Sequence, residues 1–242
     1  MNIIDGVCWG FIPARGGSKS VPMKNIADLY GRPLLDYCAT ASVKSNNVTR
    51  TICSTDSSEI ESRCRTLNIE VHERPLKLSK DNTAVFDVIS DFVGDLVRKG
   101  EGVAEMIALL QPTSPFILPN QIDSCINLLK QNTSAGSIQT VIPCPHNHHA
   151  FNQRSINDGQ VVFKFPDERK KGYNKQKKKP LFLFGNLVVF KTKSAIEQAT
   201  VFAESSYCIK IPELFGFDCD GSLDFKVGEA LLAAKLIDLP HL

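Results

Sequence analysis

The feature that most constrains this chain is a segment at residues 7–12, apolar on both faces, that runs into a glycine-paired basic turn. A strand with two apolar faces needs cover on both sides, as the central strands of parallel sheets have. The turn begins with Pro13 and continues as Ala-Arg-Gly-Gly-Ser-Lys. Because ligands of open α/β sheets bind outside the carboxyl ends of strands, the pair predicts an α/β fold with a ligand loop after its first buried strand.

Glycines and cations make this turn suited to binding a polyphosphate. Only a backbone without side chains can approach anionic oxygens closely, which favours Gly16 and Gly17 at this place. Backbone N–H groups and the charges of Arg15, Lys19 and Lys24 would converge there. The chain has neither the G-x-x-x-x-G-K-[ST] pattern of P-loop hydrolases nor a G-x-G-x-x-G dinucleotide pattern. We interpret the turn as a phosphate-binding loop, the alternative being a basic surface turn.

Strand and helix patterns alternate along the rest of the chain, which predicts a mostly parallel, doubly wound sheet with right-handed crossovers and helices on both faces. Strands are predicted at residues 7–12, 48–54, 69–72, 104–110, 137–144 and 181–190. Helices are predicted to begin near Pro33, Asp56, Asp81, Pro119 and Ser222. The start at Asp56 has capping-box spacing, and Asp81-Asn82-Thr83 is expected to cap a helix that runs through Arg98. We expect one domain over residues 1–242, with an excursion at about 145–180 where the composition changes.

Charge and hydropathy exclude some partner classes. The 28 basic and 26 acidic residues nearly balance, so the total charge implies no nucleic-acid or membrane partner. Residues 169–179 form a basic run that is either a solvated charge run or an RNA-binding patch, but it is short and carries few aromatic residues. No apolar stretch reaches about 18–20 residues and no secretory signal pattern is present, so we expect a cytoplasmic protein.

Cysteine and histidine patterns do not predict a metal centre. The eight cysteines are scattered without a C-x-x-C pair, and most lie in apolar stretches, so free thiols are expected. His146, His148 and His149 are clustered, but no cysteine or acidic pair accompanies them at metal-ligand spacing. They are expected to line a sugar-binding side or a subunit contact.

Two further polar clusters are candidates for the chemistry. Gln111, Thr113 and Ser114 follow the most apolar predicted strand, and their neutral side chains suit recognition of sugar hydroxyl and acyl-amide groups; a capped turn is the alternative. Asp218 and Asp220 would point to the same side of a strand-like segment and supply two oxygen ligands for Mg²⁺. The alternative for this pair is capping of the helix that begins at Ser222.

Several motifs together resemble one family. Residues 12–19 with 22–25, then Ser54-Thr55-Asp56, Arg74-Pro75, residues 111–115 and Asp218-Cys219-Asp220 resemble, in order, motifs of the acylneuraminate cytidylyltransferases. These enzymes make CMP-sialic acid and related CMP-nonulosonates. The resemblance implies a nucleotidyltransferase-like Rossmann variant, transfer of CMP from the co-substrate CTP to the anomeric hydroxyl of a nonulosonic acid with release of pyrophosphate, a Mg²⁺ cofactor, and a homodimer formed through the excursion.

The resemblance also assigns residues by role. Nucleotide contacts are expected from Ala14, Arg15, Gly16, Gly17, Ser18, Lys19, Lys24, Asn25, Arg74 and Thr83. Acceptor contacts are expected from Gln111, Thr113, Ser114, Lys175, Gln176 and Asn186. Catalytic roles are expected for Arg15, Lys24 and Asp218, and metal ligation for Asp218 and Asp220. For Arg74, a surface ion pair with Glu73 is an equally open interpretation.

Three other functions remain compatible with these residues. A nucleotidyltransferase for an eight-carbon keto-acid sugar would share the chemistry and differ in the sugar pocket. A metal-dependent glycosyltransferase could use Asp218-Cys219-Asp220 as its metal motif, although it would not need so cationic a first loop. A nucleotide-binding regulatory module is the non-enzymatic alternative.

Overall fold

The computed structural model describes residues 1–171 and 179–242. Its strands are β1 (Ile3–Pro13), β2 (Asp28–Leu29), β3 (Arg32–Pro33), β4 (Val48–Thr55), β5 (Glu70–Glu73), β6 (Val103–Leu110), β7 (Ser137–Pro143), β8 (Arg154–Asn157), β9 (Gln160–Phe163), β10 (Phe182–Lys191) and β11 (Ser206–Lys210). Its α-helices are α1 (Leu34–Val43), α2 (Ser58–Thr66), α3 (Val85–Arg98), α4 (Pro119–Gln131), α5 (Pro166–Lys171), α6 (Thr192–Gln198) and α7 (Ser222–Ala233).

A seven-stranded sheet in the order β11-β7-β10-β6-β1-β4-β5 is the framework of the fold. The pairs β1–β4, β1–β6, β4–β5 and β7–β11 are parallel, whereas β10 runs antiparallel to both β6 and β7. The mostly parallel α/β sheet predicted from the alternation of strands and helices is therefore confirmed. Because β10 is reversed, its amino end lies beside the carboxyl ends of β6 and β7.

The sheet is covered on both faces, as the two apolar faces of β1 require. Cys8 and Ile12 of β1 pack in one core cluster with residues of α1, α2 and α4. Trp9 and Phe11 point to the other face and pack with residues of α3 and α6. Alternate side chains of one strand thus enter two cores, which is the period of two expected for a strand. The strand lies two places from the β5 edge of the sheet, with β4 between them.

Two predicted helix starts are wrong in detail, and both differences matter for the cleft described below. Helix α2 is capped by Ser57, whose hydroxyl accepts from the N–H of Ile60, so Asp56 is not the cap. Helix α3 begins at Val85 without a side-chain cap, so the expected cap at residues 81–83 does not form. In both cases the acidic side chain makes a contact with the loop after β1 instead of capping a helix.

Between β7 and β10 the chain leaves the main sheet. Its described part contains two short 3₁₀ turns, the antiparallel hairpin of β8 and β9, and α5. His149 is buried in one of the turns, where its ring accepts from the N–H of Phe151. None of the helices in the described ranges has the length and hydropathy of a bilayer span.

Candidate active site

A cleft of about 260 Å³ opens where the parallel strands β1, β4, β5 and β6 end. The loop after β1, the segment from β5 to α3 and the loop after β6 form its walls. Of the residues predicted for the site, it is lined by Arg15, Gly17, Ser18, Lys24, Asn25, Arg74, Thr83, Gln111 and Thr113. Residues far apart in sequence thus meet at one edge of the sheet, where open α/β folds bind ligands.

The loop after β1 is held in place by its own polar groups. Asn25 is buried and donates its amide hydrogen to the carbonyl oxygen of Arg15 over 2.9 Å. The N–H of Gly16 donates to the Asp56 carboxylate over 2.9 Å, and that of Ala14 donates to the carbonyl oxygen of Ser54. These two N–H groups are therefore used inside the protein, contrary to the expectation that they face a nucleotide. These hydrogen bonds fix the path of the loop.

Glycine is required at position 16 because the loop passes close to the start of α2. A Cβ atom built on Gly16 would lie 2.8 Å from the Cβ of Ser57, which is closer than such atoms approach each other. Nothing lies within 4 Å of a Cβ built on Gly17, so that glycine leaves the backbone open toward the cleft. Gly16 thus allows the loop to pack against α2, whereas Gly17 leaves the backbone accessible from the cleft.

Asp81 contacts both basic side chains of the loop. Its carboxylate lies 2.8 Å from Nη2 of Arg15 and 2.5 Å from Nζ of Lys19. The hydrogen bond from Lys19 is the main cause that lowers the pKa of Asp81, and Arg15 adds to it. Lys19 itself is exposed over 86% of its side chain. Asp81 therefore occupies the position of an anion between two cations that were predicted to bind phosphate.

The basic loop and the acidic pair meet at Lys24. Its Nζ lies 2.9 Å from Oδ1 of Asp220, and the hydroxyl of Ser20 donates to the carbonyl oxygen of Asp220 over 2.6 Å. The hydrogen bond from Lys24 lowers the pKa of Asp220. Burial raises the pKa of Asp218, and the carboxylate of Asp220 beside it acts in the same direction, while Thr113 donates a hydrogen bond that opposes the rise.

The acidic pair is not a helix cap. The N-cap position of α7 is Gly221, and Asp224 accepts the N–H groups of Asp220 and Gly221 over 3.0 and 2.7 Å. The carboxylates of Asp218 and Asp220 are left to face each other. Two adjacent carboxylates next to a basic loop are a donor set that suits Mg²⁺, which commonly takes one or two carboxylates together with substrate phosphates. Within residues 1–171 and 179–242, no cluster of three or more His, Cys, Asp or Glu side chains forms a metal site.

Arg74 is a buried wall of the cleft. Its Nη2 donates to the carbonyl oxygen of Ser54 over 2.7 Å, and its Nε donates to the Ser54 hydroxyl over 3.3 Å. Burial lowers the pKa of the guanidinium. Within the described residues no carboxylate lies within 4.0 Å of it, so the surface ion pair with Glu73 is absent. Of the two open interpretations, the geometry favours the cleft-lining one.

The residues predicted for acceptor recognition are only partly brought together. Gln111 and Thr113 line the cleft, whereas Ser114 is buried in the turn. Asn186 is 1% exposed, and its amide donates to Oε1 of Gln121 over 2.9 Å while its oxygen accepts from Thr140 over 2.9 Å. The prediction that Asn186 contacts the acceptor is therefore not supported, because its polar atoms are bonded inside the core. The predicted contacts Lys175 and Gln176 lie outside the described residues.

Sequence reasoning missed several residues that shape the cleft. Asp56 lies within a motif of the resemblance and Asp81 within an expected helix cap, yet no role in the site was assigned to either. Ser54, which belongs to the same motif as Asp56, and His72 both lie behind Arg74, and the sequence assigns neither of them a role in the site. For the acids, the available signal was their position directly after a strand or before a helix near the cleft.

Comparisons with known proteins indicate the family of this chain. Residues 9–200 match a family model described as cytidylyltransferase. The chain is 28% identical over 221 residues to an N-acylneuraminate cytidylyltransferase of Oncorhynchus mykiss, a match that covers 90% of this chain and 48% of the relative. It is 26% identical over 219 residues to an N-acylneuraminate cytidylyltransferase of Streptococcus agalactiae, covering 88% of this chain and 50% of the relative. The chain thus spans about half the length of these relatives.

Two solved structures share the fold. A CMP:2-keto-3-deoxy-manno-octonic acid synthetase complexed with CTP aligns with a TM-score of 0.71 at 14% identity, over 95% of this chain and 99% of that one. A 4-diphosphocytidyl-2C-methyl-D-erythritol synthase from Anaerococcus prevotii aligns with a TM-score of 0.64 at 12% identity, over 94% and 96% of the two chains. At these identities the likeness concerns the fold alone.

Proposed function

This chain belongs to the cytidylyltransferase family, and from that premise we propose that it transfers CMP from CTP to the anomeric hydroxyl of a nonulosonic acid and releases pyrophosphate. The observation that carries the proposal is the contact between Lys24 and Asp220, which joins the phosphate-binding loop to the acidic pair. The names of the matched relatives, N-acylneuraminate cytidylyltransferases, support the choice of acceptor class.

The loop after β1 would hold the triphosphate. Gly17 and Ser18 line the cleft, and Arg15 and Lys24 add positive charge beside it. The triphosphate would take the place of Asp81 between Arg15 and Lys19. In phosphoryl and nucleotidyl transfer, catalysis consists mainly of positioning and of stabilising charge on the transferred and leaving groups. Arg15 and Lys24 would stabilise the negative charge that develops on the departing pyrophosphate.

Asp218 and Asp220 would hold a Mg²⁺ ion. Bound there, the ion would neutralise phosphate charge and polarise the attacking hydroxyl. Thr113 orients the Asp218 carboxyl through a hydrogen bond, and Lys24 holds that of Asp220. The raised pKa of Asp218 fits this role, because a buried carboxylate beside a second carboxylate is stabilised by a bound cation.

The nucleoside and the acceptor would lie on opposite sides of this phosphate region. Arg74 and Thr83 line the part of the cleft formed by the segment from β5 to α3, which we assign to the nucleoside. Gln111 and Thr113 line the part formed by the loop after β6, where neutral donors and acceptors suit sugar hydroxyl groups. Asn25 acts on the nucleotide through the loop that it fixes.

We extend the proposal to assembly and location. A homodimer would use the apolar side chains exposed near the excursion, which include Ile156, Val161, Phe182 and Phe184. All eight cysteines are free thiols, in keeping with a reducing compartment, and we place the enzyme in the cytoplasm.

The test is pyrophosphate release from CTP and Mg²⁺ with a panel of acceptors. The panel contains neuraminic and legionaminic acids, an eight-carbon keto-acid sugar, and a hexose 1-phosphate as an acceptor of a different class. We expect turnover with at least one nine-carbon acid, and a ranking by kcat/KM identifies the preferred one. Turnover with the eight-carbon acid or the hexose 1-phosphate alone would show that the acceptor class is wrong.

Thermal shift separates the remaining alternatives. A nucleotidyltransferase should gain more stability from CTP than from a CMP-sugar, because the free triphosphate interacts with the whole basic loop. A glycosyltransferase should show the reverse order. Stabilisation by CTP without pyrophosphate release for any acceptor would favour a regulatory nucleotide-binding module.

A further inference from the structure

Behind Arg74, a row of polar side chains leads away from the cleft. The Ser54 hydroxyl accepts from Nε of Arg74 over 3.3 Å and lies 3.0 Å from Nδ1 of His72. On the other side of the ring, Nε2 of His72 faces a carboxylate oxygen of Asp91 at 3.6 Å. The row ends at a second cavity of about 570 Å³, which His72 and Asp91 help to line.

The hydrogen positions along this row follow from the chemistry of its members. A guanidinium has donors and no acceptor, so the Ser54 oxygen must accept from Arg74. The Ser54 hydroxyl can then donate to Nδ1 of His72, provided that this nitrogen carries no hydrogen. In this arrangement the His72 hydrogen is on Nε2, the nitrogen that faces Asp91. Burial lowers the pKa of His72, which favours this neutral ring.

The row is built into the packed sheet. Ser54 of β4 and His72 of β5 are register partners in the parallel ladder, and they are 0% and 9% exposed. The His72 ring packs edge-on against Phe92, with centroids 5.3 Å apart. The order Ser-His-Asp is that of a hydrolytic triad, but the Ser54 hydroxyl is fully buried and already bonded to Arg74. It has no access to a substrate and cannot act as a nucleophile.

We propose that Ser54 and His72 are positioning residues that hold the Arg74 guanidinium in the orientation that binds the nucleotide of CTP. The proposal rests on the proposed function, which assigns Arg74 to the nucleoside. The carbonyl oxygen of Ser54 alone would leave the guanidinium free to turn about one hydrogen bond. A second hydrogen bond, to the Ser54 hydroxyl that His72 orients, fixes the plane of the Arg74 guanidinium.

The test uses two substitutions of the same ring. His72→Phe keeps the ring packed against Phe92 and removes the acceptor at Nδ1. His72→Asn places an amide oxygen near the former Nδ1, so it restores the acceptor for Ser54. We expect His72→Phe to raise the KM for CTP about tenfold with kcat within about twofold, the loss expected for one hydrogen bond that orients a charged group. His72→Asn should recover most of this loss.

A matched control separates positioning from stability. Leu96→Ala removes a buried side chain from the same face of α3 without touching the row, and should lower the melting temperature while leaving the KM for CTP unchanged. If His72→Phe leaves the KM unchanged in an active enzyme, or if His72→Asn and Leu96→Ala raise it as much as His72→Phe does, the positioning role is wrong.

Side-chain nitrogen NMR of the wild-type protein tests the same proposal independently of turnover. Near neutral pH, His72 should be a neutral ring with its hydrogen on Nε2. A hydrogen on Nδ1 would overturn the proposal even in an active enzyme. An Nε2–H ring in a protein that releases no pyrophosphate with any acceptor would instead leave the row intact and refute the proposed function.

Discussion

The two sides of the cleft differ in how their side chains are used. On the nucleotide side, formed by residues 13–25 and Arg74, the side chains that line the cleft are supported by partners in the layer behind them. On the acceptor side, formed by residues 111–114, two side chains line the cleft and a third is buried, while Asn186 is bonded within the core. The first side is a basic loop held by internal hydrogen bonds, and the second is a short polar turn.

The direction and register of the strands show how the two sides are built. β1, β4, β5 and β6 are parallel, so the residues that follow each of them arrive at one edge of the sheet. β10 runs antiparallel between β6 and β7, and its Leu187 lies opposite Leu110, the last residue of β6, so Asn186 comes level with the same edge. The amide of Asn186 is nevertheless bonded to Gln121 and Thr140, so a position at this edge does not by itself make a residue a site residue.

Removing the positive charge of Lys24, which contacts Asp220, should have the largest effect on turnover. In Lys24→Ala, both the triphosphate and Asp220 lose their shared cation, so we expect kcat to fall by about 10²–10³-fold. Pyrophosphate release at saturating CTP measures it. Lys44→Ala, which changes an exposed lysine at the end of α1, should leave kcat unchanged. Equal activity of the two variants would remove the nucleotide side from the mechanism.

The acidic pair should respond through the metal. Asp218→Asn keeps the shape and the contact to Thr113 but removes one negative ligand, so we expect kcat to fall about 10- to 100-fold and the half-saturating Mg²⁺ concentration to rise. A Mg²⁺ titration of turnover measures both quantities. Asp238→Asn, at an exposed position, is the charge-matched control. An unaltered Mg²⁺ dependence in Asp218→Asn would contradict the metal assignment.

The fold was largely predictable, because apolar segments and helical periodicity report burial directly. Residues 7–12 needed cover on both faces and received it from two cores. The resemblance assigns the basic loop to the nucleotide and Asp218 with Asp220 to its metal, and the Lys24–Asp220 contact places the two regions side by side. Both helix starts near acidic residues were misjudged. A carboxylate suits a helix N-terminus and a basic loop equally well, and only the tertiary structure decides between them.

The acceptor side was less predictable for a physical reason. A neutral polar residue such as Asn186 or Ser114 can bind a sugar or satisfy buried backbone and side-chain groups, and its type does not distinguish the two. Asn186 bonds to Gln121 and Thr140, which are 65 and 46 residues away in sequence. No local pattern reveals partners at such distances.

Asn186→Ala tests whether Asn186 stabilises the core instead of binding the acceptor. It would leave Oε1 of Gln121 and the Thr140 hydroxyl without their buried partner, so the free energy of unfolding should fall by about 2–4 kcal/mol. Denaturant unfolding measures it, and the KM for the acceptor should be unchanged. Gln111→Ala should raise the KM for the acceptor and leave the free energy of unfolding unchanged, because Gln111 lines the cleft. A raised acceptor KM in Asn186→Ala at unchanged stability would restore the original prediction.

Asp81 should compete with the substrate. Its carboxylate pairs with Arg15 and Lys19, which the triphosphate would otherwise contact, so Asp81→Asn should lower the KM for CTP by about two- to fivefold. The effect is small because the pair is exposed to solvent and screened by salt. Initial rates at low ionic strength measure it, and Asp87→Asn, an exposed change in the first turn of α3, is the control. A higher KM in Asp81→Asn would mean that Asp81 orders the loop for binding.

The smallest effect expected is an acid-dependent loss of stability that arises on the nucleotide side. Burial lowers the pKa of His72 below its usual value, against the opposing charges of Asp91 and Asp95, while Arg74 and Lys99 act with burial. The unfolded chain therefore binds a proton near pH 6.5 that the folded protein still excludes.

Stability contributed by neutral His72 is thus complete above about pH 6.5 and is lost as the pH falls through the lowered pKa of the folded state. The difference in unfolding free energy between wild type and His72→Phe should change with pH in this range, since the variant has no titrating ring at this position. The matched control is His149→Phe. It also replaces a buried histidine that packs edge-on against a phenylalanine, but this histidine lies in the excursion. If the His72 difference stays flat with pH, the neutral ring assigned behind Arg74 is wrong, and with it the claim that a polar row supports the nucleotide side from behind.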